Sequence, residues 1–128
     1  MARTLVAAAL AVLLPVLAVR ADDTAGLARN LAENILGKGL VRSSRLIEGG
    51  RTVDMVWESA TYRSSNSTAF TRELLQVEAQ FASEAIFRVL HDVRALQFQI
   101  VLGKRSLCSG RASRDRPIQI TYTRDLGG

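Results

Sequence analysis

Hydrophobic and polar residues change their spacing several times along this chain, and each change marks an element. From Asp22 to Leu36, Leu27, Leu31 and Ile35 recur every four residues with Ala28 and Ala32 beside them, which predicts a short helix. Asp23 or Thr24 can cap its start, and Gly37 and Gly39 stop it. So short a helix gains its stability by docking the leucine stripe. From Gly39 to Tyr62 the spacing falls to two. Val53, Met55 and Trp57 alternate with Asp54, Val56 and Glu58, and Gly49-Gly50 separates this arm from an earlier one rich in arginine and serine. That is a β-hairpin whose turn needs positive φ. Trp57 is expected to face the core, and the first arm to be an exposed edge.

A polar loop, Ser64 to Ser67, introduces a long helix that runs to about His91. Phe70, Leu74, Val77, Phe81, Ala85 and Val89 fall at steps of three and four; Leu75, Ala82, Ile86 and Leu90 widen the stripe. The opposite face carries Arg72, Glu73, Gln76, Gln80, Glu84 and Arg88, so the stripe is expected to dock and the charges to face water. Glu84 and Arg88 stand in the favourable order for a pair four residues apart. Spacing of two returns at Leu96 to Leu102, where Gln97 and Gln99 interrupt the apolar run. It recurs after Pro117, where Ile118, Ile120 and Tyr122 alternate with Gln119, Thr121 and Thr123. Leu107 to Ala112 can form a further strand between them.

Each strand therefore buries one face. The predicted fold is α+β: a two-layer sandwich in which an antiparallel sheet of about four to five strands packs on one long helix, with a short N-terminal helix. The open sheet face would carry Gln97, Gln99, Gln119, Thr121 and Thr123.

The first residues belong to none of these elements. A charged start at Arg3, an apolar run from Leu5 to Ala18 broken by Pro15, and small residues at Ala18 and Ala21 have the parts of a secretory signal peptide. The run is shorter than a membrane-spanning helix needs. No second run replaces it, so no stable span is expected after cleavage. Removing 21 of the 128 residues leaves 107, one domain from residue 22 to 128. Its expected place is periplasmic or extracellular. Taking Arg3 and Arg20 from the 17 basic residues leaves 15 against 12 acidic, a net charge of +3. That is far from the charge of a dedicated nucleic-acid binder, and no nucleic-acid partner is expected.

Chemistry is sparse. His91-Asp92 is the one histidine–carboxylate neighbour pair, at the end of the long helix, where the helix dipole favours histidine. Cys108 is the only cysteine. It is a possible reactive or intermolecular thiol, or a small buried hydrophobe. One histidine and one cysteine cannot fill a zinc site, and no phosphate loop or catalytic signature occurs. No catalytic residue, metal or cofactor is therefore assigned. Asn66-Ser67-Thr68 matches the glycosylation pattern, but its first reading is the capping loop of the long helix.

Lys104, Arg105, Arg111, Arg114 and Arg116 lie close together in sequence against Asp115 alone. Arginine forks suit anionic groups, so Arg105, Arg111, Arg114 and Arg116 are candidate ligand contacts; a solvated loop guarding a sheet edge is the alternative. The function these features indicate is that of an exported, non-enzymatic binding domain. It would take an anionic ligand or a protein partner through residues 104–116 and the polar sheet face. Two alternatives are a thiol-dependent enzyme or redox protein using Cys108, and a structural envelope protein forming a homodimer.

Overall fold

The computed structural model describes residues 23–127; the predicted leader, residues 1–21, lies outside them. Helix α1 (residues 23–36) leads into strands β1 (Val41–Ile47) and β2 (Thr52–Glu58), then helix α2 (Thr68–Val89). Strands β3 (Ala95–Leu102), β4 (Arg105–Ser113) and β5 (Arg116–Tyr122) follow, and a single 3-10 turn at Arg124–Leu126 closes the described chain. The five strands form one sheet in sequence order. Both helices contribute buried side chains to the core on one side of it, which gives a two-layer α+β sandwich.

Three strand pairs are antiparallel, and the β2–β3 pair is parallel. The parallel pair follows from connectivity: α2 carries the chain back across the sheet, so β3 starts beside the start of β2, with Thr52 opposite Ala95. Strand spacing alone does not reveal direction.

Turn chemistry sets the remaining boundaries. Ile47 pairs with Thr52 across a loop in which Glu48, Gly49 and Gly50 all have positive φ, so the Gly-Gly pair makes the turn as expected. Leu102 pairs with Arg105 across Gly103-Lys104, and Gly103 sits at φ 62°. Ser67 caps α2 by accepting a hydrogen bond from the Phe70 amide at 3.1 Å.

The core lies between the layers. Val53, Met55, Trp57, Leu96, Phe98 and Ile100 from the sheet are buried, and the Trp57 and Phe98 rings stack with centroids 5.6 Å apart. Each such large side chain is worth about 1.5–3 kcal/mol once buried.

The helices dock by one flank of the expected stripes, the flank that holds Leu75, Ala82 and Ile86 in α2, and not by their centres. α2 turns Thr71, Leu75, Glu78, Ala79, Ala82, Ser83 and Ile86 inward, while Phe70, Val77, Phe81 and Val89 are exposed. α1 behaves alike: Ala28 and Ala32 are fully buried, and Leu27 and Ile35 are about half exposed. Small side chains let a helix backbone come close to the sheet, where the large strand residues already fill the space. A single inward charged group also fixes the rotation of α2. Glu78 is buried, and its carboxylate accepts from the Trp57 indole (3.1 Å), the Ala60 and Thr61 amides (3.1 and 3.2 Å) and the Ser59 and Thr61 hydroxyls (2.7 and 2.5 Å).

Candidate functional site

The side of the sheet away from the helices is uncovered. Register carries its side chains across all five strands in two rows. One runs Arg45, Asp54, Gln97, Arg111, Gln119, and the other Ser43, Val56, Gln99, Ser109, Thr121. Their members on β1 to β4, together with Phe98 and Gly110, line a trough of about 780 Å³. Its apolar side chains are Val56 and Phe98. Gln97, Gln99 and Ser109 make no side-chain hydrogen bond to any described residue, so their amides and hydroxyl are free to bind from the trough.

The arginines of this face are already paired. Arg45 donates to Asp54 at 2.8 Å. Arg111 reaches Glu48 with both terminal nitrogens, each at 3.1 Å. That bidentate contact holds the Glu48 carboxyl below its ordinary value, assisted by the Thr52 hydroxyl against a smaller opposing effect of burial. Arg42 pairs with Glu58, whose other oxygen accepts from the Gly103 amide at 2.9 Å. Fixed arginine–carboxylate pairs therefore frame a trough whose free groups are uncharged.

The four candidate arginines go to four places. Arg111 alone lines the trough. Arg105 pairs with Asp125 at 3.3 Å, out at the surface. Arg114 closes the C-terminal end of α2, donating to the carbonyls of Phe87, Leu90 and Val93 at 2.8–2.9 Å and lying over the Phe87 ring. Arg116 is exposed where β5 begins, with no partner among the described residues. Neighbours in sequence diverge here because β4 and β5 form a hairpin, which points alternate residues to opposite faces and separates its tip from its body. Thr123, expected on the open face, instead begins the closing 3-10 turn, with its hydroxyl oxygen buried.

Cys108 sits opposite Ile100 in the core side of β4, 1% exposed. Burial, and then the nearby Glu78 carboxylate, push its thiol up to about 12. His91 is exposed beyond the end of α2, so the structure does not bring Cys108 and His91 into one accessible site. Among the described residues, no three His, Cys, Asp or Glu side chains gather as metal ligands would, and no helix is long and apolar enough to cross a membrane.

Periodicity passes over Glu78, although its position carries a signal: a carboxylate three residues after Leu75 and four before Ala82, on an otherwise apolar arc. No protein-family model, curated protein or solved structure matches the chain.

Proposed function

We propose that this chain is an exported, non-enzymatic binding module that takes an uncharged, hydrogen-bonding ligand on its open sheet face. The observation that carries the reading is the trough itself: a concave surface of mixed polarity left uncovered, with the amides of Gln97 and Gln99 uncommitted beside Val56 and Phe98. Ligand sites orient their occupants with a few convergent polar groups. Here those groups sit on rigid central strands. The paired arginines at the rim favour neutral hydroxyl- or amide-bearing groups over free anions, because each guanidinium already holds a carboxylate. Export rests on residues 1–21, with their charged start, apolar run and small-residue ends.

Two measurements test this. The intact mass of the chain, recovered from outside the cytoplasm, should fall short by about the length of the leader; a full-length mass in the membrane fraction would contradict export. For binding, amide resonances of the protein are followed against neutral oligosaccharides and, separately, inorganic phosphate. The expected result is movement of the Gln97 and Gln99 side-chain amides and of the Ser109 and Gly110 backbone amides with the neutral probes, the backbone movement being lost in a Gln97→Ala/Gln99→Ala variant. Movement confined to Arg105 and Arg116 with phosphate would transfer the site to the basic surface and sink the trough.

A further inference from the structure

Both helices bury alanines against the sheet, with Leu75 and Ile86 of α2 beside them, and leave other large apolar side chains about half exposed. Leu27 and Ile35 of α1 and Phe70, Val77 and Phe81 of α2 are each between 38% and 52% exposed. The two sets meet, since Ile35 lines a shallow hollow with Phe81 and Ala85. Apolar surface gathered in this way marks an interaction site more often than chance. Along α2 the outward residues Phe70, Leu74, Val77 and Phe81 recur at intervals of four, three and four. That is the alternation by which one helix packs against another.

Charge indicates what packs there. Glu73 and Arg88 flank the patch, and neither has a hydrogen-bond or ion-pair partner among the described residues. Glu84, expected to take Arg88, instead accepts from the Gln80 amide at 3.3 Å. Glu73 and Arg88 lie about 22 Å apart along the helix, and the midpoint between them falls between Gln80 and Phe81. A two-fold axis through that midpoint sets each Glu73 beside Arg88 of the partner subunit and brings Phe81 against Phe81 of the partner subunit near the axis.

We propose that the chain forms an isologous homodimer through the outer face of α2, with Phe81 at its centre and two Glu73–Arg88 pairs at its ends. A self-complementary charge arrangement about one apolar centre is what a two-fold contact requires, and it selects a second copy over a foreign partner. The surface lies on the layer opposite the polar trough, so either reading can fail without the other.

The test is sedimentation velocity on the full chain, expressed with its own leader and taken as the cell processes it, over a wide concentration range. The expected result is a concentration-dependent dimer, unchanged by reductant or by Cys108→Ser. Phe81→Glu, at a half-exposed position that should leave the circular dichroism unaltered, should raise the dissociation constant by at least about 30-fold. Glu73→Arg and Arg88→Glu should each weaken the dimer by about tenfold, and the two together in one chain should restore it. A monomer at every concentration overturns the proposal, whatever else is then found on the patch. So does a dimer that survives Phe81→Glu or one that vanishes on reduction.

Discussion

The indole nitrogen of Trp57 donates to Glu78 at 3.1 Å, joining the second strand to the middle of the long helix inside the core. The same carboxylate gathers four further donors from residues 59–61. It therefore holds three parts together: the strand end, the loop that leaves it and the helix that crosses the sheet. Five donors, none cationic, solvate a charge that burial would otherwise penalise heavily.

Glu78→Ala should consequently cost at least about 3 kcal/mol in urea unfolding, since it strands several buried donors at once. Glu73→Ala, on the outer face of the same helix, should change stability by no more than about 0.5 kcal/mol in the monomer. A loss under about 1 kcal/mol for Glu78→Ala would show that water replaces the carboxylate and that the loop needs no anchor.

Cys108 should be inert while the fold is intact. Its thiol is pushed up to about 12 from an ordinary value near 9, so at neutral pH alkylation should proceed only through unfolding and accelerate sharply in denaturant. The same shift has a stability consequence. The unfolded chain releases this proton near its ordinary value and the folded chain does not. Stability from this group is thus complete below about pH 9 and is lost as pH rises toward 12, at about 1.4 kcal/mol per pH unit. The alkaline decline should be shallower in Cys108→Ala than in the parent. Equal slopes would show that Cys108 is not the group responsible.

Gly110 permits a close approach that no other residue can. A Cβ there would lie 2.1 Å from the Gln119 carbonyl oxygen and 2.7 Å from the Phe98 ring. Gly110→Ala should cost about 1–3 kcal/mol through overpacking, and toward the upper end, because the nearest obstacle is backbone. Gly103→Ala meets nothing within 4 Å but must hold φ near +62°, a strain of about 1–2 kcal/mol. A crystal structure of each variant would separate the causes: displacement of β5 in the first, an unmoved sheet in the second.

Arg114 and Arg116 test whether the basic stretch acts as a unit. Arg114→Ala removes three hydrogen bonds, two to the end of α2 and one to the loop that follows it, with a favourable charge at the helix's negative pole, and should cost about 1–2 kcal/mol. Arg116→Ala should stay within about 0.5 kcal/mol. Similar losses at both sites in thermal unfolding would mean that the arginines share a role.

Much of this architecture is legible in the spacing of residues along the chain. The alternation of Val53, Met55 and Trp57 and of Ile118, Ile120 and Tyr122 locates strands, because a pleated strand with one buried face must alternate. Gly49-Gly50 and Gly103 locate turns, because their φ values exclude most other residues. Two features are not legible there. The parallel β2–β3 pair depends on where α2 deposits the chain. The rotation of the helices depends on space already taken by Trp57 and Phe98, so Ala28 and Ala32 of α1 and the Leu75–Ala79–Ala82–Ile86 arc of α2 dock, while Leu27, Ile35, Phe70 and Phe81 stay about half exposed.

The candidate site divides along the same line. The polar residues of the open face, Gln97, Gln99 and Gln119, follow from periodicity, since period two assigns every residue to one face or the other. The fate of the arginines does not. Arg111 faces the trough, Arg114 caps a helix and Arg105 meets Asp125 because a hairpin sends adjacent residues in different directions, and each finds the nearest carboxylate or carbonyl there. Local spacing is enough to define the elements, their buried and open strand faces and the polarity of the sheet surface. Strand direction, helix rotation and the pairing of charges within the chain arise only on folding, because they depend on contacts between residues far apart in sequence.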